Sequence, residues 1–238
     1  SWVAQKFPGR KLPLLWLIVL PLGSQTLRYS NAWASELTLF QWGVQSVPRS
    51  TKAHQKLGEV YLSAGDYGNA IRSLKQALEF APENEWAAIT LAEVRQAVAR
   101  VYQEVDPNDL SQEPADPEVI YLLGQIRNER GDRAGAEAFW ETTIRVDPQH
   151  AGAWANLGAA RLAAEDTVVA FGYLREAVAL DTEFASAWFA LARIYLGWGE
   201  KSDAAVALRK FIDSAAGRYP SQVKWAEETL NGLRFETR

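Results

Sequence analysis

"HQKLGEVYLSAGDYGNAIRSLKQALEFAP", residues 54–82, holds two amphipathic stretches joined by a glycine-containing turn and closed by a proline. His54, Leu57 and Gly58 stand at i, i+3 and i+4, so a bulky residue, a leucine and a small residue share one face of a first helix. "SAGDYGNA" supplies the turn, with glycine ending that helix, and Ala70, Leu74 and Ala77 mark the inner face of a second helix. Pro82 stops the second helix, since proline is tolerated just past a helix end but not within it. Gly58 and Ala70 are small where two helix backbones must approach. One such hairpin cannot bury its own apolar faces and needs neighbours.

The neighbours follow in the chain. A frame from Thr51 marks Leu57, Gly58, Tyr61, Gly65, Ala70, Leu74, Ala77 and Pro82. A frame from Pro117 marks Leu123, Gly124, Gly131, Ala136, Trp140 and Pro148. Ala151 opens a third, with Trp154, Leu157, Gly158, Ala170, Leu174 and Ala177. Ala185 opens a fourth, with Trp188, Leu191, Ala192, Tyr195, Gly199, Ala204, Leu208 and Phe211. The last three frames, opening at Pro117, Ala151 and Ala185, are evenly spaced. The interval from Thr51 to Pro117 falls just short of two such spacings. There, 85–105 reads as one long helix with Trp86 and Leu91 at the packing positions. "DPNDLSQEPADP", 106–117, replaces its second half with three prolines and four acids, a loop between two subarrays.

In spacing and residue type, residues 51–218 resemble the tetratricopeptide repeat family. The resemblance implies an all-α fold: a right-handed solenoid of four to five hairpins with cap helices. The division that follows is a basic, apolar front at 1–30, a connecting helix in 31–50, a first subarray at 51–105, an acidic loop at 106–116, a second subarray at 117–218, and a cap helix and tail at 219–238. "ASELTLFQWGVQSVP", 34–48, reads as a lone second helix, and "PSQVKWAEETLNGL", 220–233, as a solvating cap with Ser221 as its N-cap.

The resemblance also implies a concave groove lined by positions 2, 5, 9, 12 and 13 of each first helix. Early positions such as Lys52, Gln55 and Glu59 are polar, and late ones are small or apolar. The partner-binding residues expected on this basis are Tyr121, Gln125, Asn128, Ala155, Ala159, Leu162, Phe189, Arg193 and Leu196. Phe189 and Arg193 are the expected anchors, being of the residue types that dominate binding hot spots. The stripe Ala155, Ala159 and Ala163 leaves room either for a partner's helix or extended peptide or for the array's own cap helix. Glu59 would repel the terminal carboxylate that one subfamily grips, so that ligand type is excluded.

Composition narrows the chemistry. The chain contains no cysteine and two histidines, His54 and His150, read as a packing residue and a solvated turn residue. No phosphate loop, HExxH or calcium loop is present, so neither a catalytic site nor a cofactor is expected. Residues 1–34 carry Lys6, Arg10, Lys11 and Arg28 and no acid, leaving 21 basic and 29 acidic groups beyond them. An acidic body excludes nucleic acid, which needs a basic stripe.

The front, "KLPLLWLIVLPLGSQTL", is apolar from Leu12 to Leu22 and extends to Leu27. It reads as a short membrane span, as a signal peptide ending at Ala34, or as a buried element. As a span through 12–27, its flanking Lys6, Arg10 and Lys11 would hold the N-terminus in the cytoplasm and place the body in the periplasm or lumen. The absence of an initiator methionine leads us to expect a processed or partial chain.

Residues 26–58 carry a second resemblance. Arg28, Trp33, Glu36, Leu37, Pro48, Lys52, Ala53, His54, Leu57 and Gly58 are similar to the join between the last span and the repeats of polytopic O-mannosyltransferase-like glycosyltransferases. That likeness implies a non-catalytic tail whose acidic catalytic residues lie upstream. The expected function is therefore a membrane-tethered scaffold that binds a protein partner on the non-cytoplasmic side. The alternatives are such a glycosyltransferase tail and a secreted periplasmic adaptor.

Overall fold

The computed structural model describes residues 35–103, 105–106, 116–215 and 217–235. The apolar run at 12–27, with Arg28 and Trp33 of the join and residues 107–115 of the acidic loop, lies outside them. Among the described residues no helix is long and apolar enough to cross a membrane.

The described residues form helices and turns, with no strand among them. In order the helices are α1 (Glu36–Ser46), α2 (Thr51–Ser63), α3 (Tyr67–Phe80), α4 (Glu85–Val101), α5 (Pro117–Glu129), α6 (Arg133–Val146), α7 (Ala151–Ala163), α8 (Thr167–Leu180), α9 (Ala185–Trp198), α10 (Lys201–Ala215) and α11 (Pro220–Phe235). They gather into two compact units that divide between Gln96 and Ala97, inside α4.

In the first unit α2 and α3 pack as a hairpin, and α1 packs on α2. The close approach rests on Gly58: a Cβ there would lie 2.6 Å from Leu74 Cγ. Ser50 and Asp66 start the two helices, accepting from the N–H groups of Ala53 and Asn69. These side chains satisfy donors that the first helical turn leaves without partners. α1 begins with a capping box between Ser35 and Thr38, and Gln41 donates to the Tyr61 hydroxyl at 3.0 Å.

α4 starts at Glu85, capped by Asn84, and so opens one full repeat spacing after Thr51, where α2 begins. The shortfall of the array therefore falls after this helix. Its buried stripe is Ala87, Thr90, Val94 and Val98. This corrects the sequence expectation for Trp86 and Leu91. The cap puts Trp86 second in the helix, one residue off the stripe and 70% exposed. Leu91 is half-buried.

The second unit contains the hairpins α5–α6, α7–α8 and α9–α10, followed by α11. Each hairpin also packs on the next, through α6 with α7 and α8 with α9. A Cβ on Gly158 would meet Leu174 Cγ at 2.6 Å, and one on Gly124 would meet the Trp140 indole. Ala136 and Trp140 of α6 share a core with Ala153 and Leu157 of α7, so the second hairpin supplies what the first lacks. A larger core runs from Ala155 and Leu174 through Leu191, Leu208 and Phe211 to Ala226 and Leu230 of α11. Burial of leucines and phenylalanines at this level contributes about 1.5–3 kcal/mol each.

α11 begins at Pro220, not after Ser221 as the sequence suggests, and the Val223 N–H bonds to the Tyr219 carbonyl. Proline suits the first helical position because it has no N–H to leave unpaired.

Candidate partner-binding grooves

In the second unit, α5, α6 and α7 enclose a cavity of about 440 Å³. Gln125, Asn128 and Glu129 come from α5, Arg133, Glu137 and Trp140 from α6, and Asn156 and Ala159 from α7. Tyr121 does not line it but sets its polar wall. The Tyr121 hydroxyl accepts from Gln125 Nε2 at 3.1 Å and from Asn156 Nδ2 at 3.2 Å. Burial first, then the Glu118 charge, raises the Tyr121 pKa against the lowering effect of those two donors, so the ring stays a neutral phenol. Its ring lies 4.4 Å from that of His150.

His150 is not a solvated turn residue. Its Nδ1 accepts from the Ala153 N–H at 3.1 Å and caps α7, and its Nε2 is 3.7 Å from Glu118. Gly152 must be small beside it, since a Cβ would lie 3.0 Å from the Tyr121 hydroxyl. Arg161 pairs with Glu137, a lining residue of the cavity, at 2.7 Å.

A second cavity, about 590 Å³, opens between α7 and α9. Its walls are Leu162, Ala163, Thr167, Phe189, Ala190, Ile194, Gly197 and Trp198, with Arg193 as its single charge. Among the described residues Arg193 is exposed and makes neither hydrogen bond nor ion pair. Trp198 is 45% exposed and sits edge-on to Phe171, with ring centroids 4.8 Å apart. Phe189 has a second duty. Its ring contacts Phe211 at 4.9 Å and Trp225 of α11 at 5.4 Å, so the cap helix already uses one of its faces.

The structure thus brings Gln125, Asn128 and Ala159 into the first cavity, and Leu162, Phe189 and Arg193 into the second. Tyr121 stands behind the first. Ala155 is buried in the core at 6% exposure, and Leu196 is half-buried and lines neither cavity. Sequence reasoning passes over Asn156, at position 6 of its helix, and Trp198, at position 14. The signal for Trp198 is an aromatic residue directly before the turn glycine.

In the first unit a third cavity, about 530 Å³, lies between α2 and α4. It is lined by Gln55, Lys56, Glu59, Trp86, Ile89, Thr90 and Glu93. Glu59 accepts from Lys56 at 2.6 Å and from Gln55 at 2.9 Å. Desolvation pushes its pKa up, but those two donors and the ammonium charge outweigh it and hold the carboxyl below its ordinary value. Among the described residues no group of three or more His, Asp or Glu side chains is placed to hold a metal ion.

Models of the tetratricopeptide repeat match residues 51–84, 121–183 and 185–217. The chain carries tetratricopeptide repeats. It is similar to the crystal structure of MamA protein, with 18% identity over 74% of this chain and 97% of that one, at a TM-score of 0.42. A TM-score of 0.47 and 16% identity relate it to the crystal structure of yeast Tom70, over 83% of this chain and 43% of that one. The TPR2AB-domain:pHSP90-complex of yeast Sti1 is similar at 16% identity and a TM-score of 0.43, over 89% and 81% of the two chains. No curated protein sequence matches.

None of these matches supports the glycosyltransferase likeness of 26–58, and several residues that carry it have duties within the repeats. His54 Nε2 bonds to the Pro48 carbonyl at 2.8 Å, Leu57 is core, and Gly58 admits Leu74.

Proposed function

We propose that this tetratricopeptide repeat chain is a scaffold that holds a segment of another protein in the grooves of its second unit. The observation that carries this reading is the cavity between α7 and α9, lined mainly by apolar side chains and bearing the Arg193 guanidinium, which makes no hydrogen bond or ion pair among the described residues. Apolar concavities with few convergent polar groups are the usual form of a binding site. Leu162, Phe189, Arg193 and Trp198 contact the segment there. Gln125, Asn128, Asn156 and Ala159 meet its continuation in the first cavity, with Tyr121 holding two of those amides. Ala155 and Leu196 support the groove from beneath and beside it.

A photo-crosslinking side chain at Gly197, where a Cβ meets nothing within 4 Å, tests the groove. It should join the chain to one partner segment, and Arg193→Glu with Trp198→Ala should reduce the yield at least tenfold while the helical signal is unchanged. Phe189 is left intact because it also seats α11. Equal yield from the double variant would reject this groove.

We further propose that residues 12–27 tether the scaffold to a membrane, with the repeats on the non-cytoplasmic side. The apolar run and its flanking Lys6, Arg10 and Lys11 support this reading. A tethered chain stays with membranes through a carbonate wash, whereas the secreted alternative is released. The glycosyltransferase-tail alternative rests on residues 26–58 alone. It requires a native polypeptide two to three times the 26.5 kDa of this chain, which immunoblotting of the source membrane would show.

A further inference from the structure

The cavity of the first unit has a chemistry opposite to that of the Arg193 groove. We propose that it takes a lysine or arginine side chain from a basic, partly apolar peptide segment, with the cation over the Trp86 indole and between the carboxylates of Glu59 and Glu93.

Trp86 is 70% exposed and Ile89 is 51% exposed, although both are large apolar side chains on a well-formed helix. Trp86, Ile89, Thr90 and Glu93 stand at i, i+3, i+4 and i+7 of α4 and so share one face. That face is neighbour to the stripe that buries Ala87 and Val94, and packing within the chain does not require a tryptophan on it. The helices α2, α5, α7 and α9 carry Lys52, Glu118, Gly152 and Ser186 at the equivalent second position.

Charge sets the kind of occupant. The cavity holds two carboxylates and one ammonium, and the ammonium of Lys56 is already paired with Glu59 at 2.6 Å. Glu93 makes no hydrogen bond or ion pair among the described residues. The face of an indole carries negative electrostatic potential and attracts cations. With Lys56 and Glu59 paired, the cavity keeps the negative charge of Glu93, and an anion would meet that carboxylate and the indole face together. The occupant is thus a cation, and Ile89 offers apolar contact to the aliphatic stem of a lysine or arginine or to the residue beside it. Gln55 and Asn84, linked at 3.4 Å, add amide groups beside the carboxylates for the peptide backbone. A nucleic acid is excluded by the same charges. All of these residues lie in the first unit, so the inference stands apart from the groove proposed in the second.

The test uses the full chain and two blocked, fluorescein-labelled nonapeptides, one alternating lysine with leucine and one alternating glutamate with leucine, read by anisotropy. The lysine peptide should bind and the glutamate peptide should not. Trp86→Ala, and separately Glu59→Gln with Glu93→Gln, should each weaken the lysine peptide about fivefold or more. Glu227→Gln with Glu228→Gln removes the same charge from the exposed face of α11 and should leave binding within twofold. Equal weakening by the α11 control would show attraction to net charge only and overturn the proposal. So would binding of the glutamate peptide, or wild-type affinity in the Trp86→Ala chain. Failure of the Arg193 crosslinking test would leave these outcomes unaffected.

Discussion

His54, Trp154 and Trp188 stand at the same place in three hairpins and make the same bond. Trp154 Nε1 donates to the Pro148 carbonyl at 2.9 Å and Trp188 Nε1 to the Thr182 carbonyl at 2.8 Å. His54 Nε2 reaches the Pro48 carbonyl, at the same separation along the chain, at 2.8 Å. The ring nitrogen ties the turn before each hairpin to its first helix, and the imidazole does this as an indole does, with Nε2 as the donor. His54→Trp should therefore hold stability in urea unfolding within about 0.5 kcal/mol, whereas His54→Ala should cost about 1–2 kcal/mol through the lost bond and the lost contact with Phe80. A second residue-scale rule concerns the turns. Gly65, Gly131 and Gly199 have φ of +74°, +84° and +78°, and the equivalent residue of the remaining hairpin is Glu165 at +62°. A side chain in this left-handed conformation costs about 1 kcal/mol relative to glycine. Glu165→Gly should raise stability by about that amount in thermal or urea unfolding. A decrease would show that the glutamate side chain holds the turn by a contact of its own.

At the scale of the element, three of the hairpins depend on one glycine facing one large residue. Gly58 faces Leu74, Gly158 faces Leu174 and Gly124 faces Trp140. Even one added carbon collides with the partner, and a leucine forces the helices apart. Gly124→Leu should lower stability by about 1–3 kcal/mol or more, measured by chemical unfolding followed by circular dichroism. The same substitution at Gly172, where a Cβ meets nothing within 4 Å, should change stability far less and serves as the control. The cap helix is the matching case at an array end. Ala226 and Leu230 are buried against the core that contains Phe211 and Ala215, and Trp225 lies on Phe189. A chain ending at Arg218 should lose roughly 2–3 kcal/mol and bind a hydrophobic dye, because those surfaces become exposed.

For the whole molecule, the hairpin repeat and its small-to-large contacts could be read from periodicity, because in each unit the same steric problem has the same solution. His54 as a packing residue could be read in the same way, since position alone marks it as inward-facing. The residues that line the cavities are legible only in part. Gln125, Asn128, Leu162, Phe189 and Arg193 follow from the first-helix positions that the resemblance to the repeat family implies. Asn156 follows only from its bond to Tyr121, one hairpin earlier, and the cap duty of Phe189 only from the return of α11 across it. The role of His150 is not legible, because a turn residue far from a partner in sequence gives no sign that its ring will cap a helix against Tyr121. The exposure of Trp86 is not legible either, because its local pattern matches a packed position. Which of two adjacent residues faces inward is decided by where Asn84 starts the helix and by what lies against it, and the second of these is not a local property. Periodicity and residue size were thus enough to set helices, turns and hairpins, since those depend on contacts between near neighbours in the chain. Which side chains are left accessible, and whether a charge among them is already paired, depends on neighbours brought together from separate hairpins. Only the packed structure could decide that.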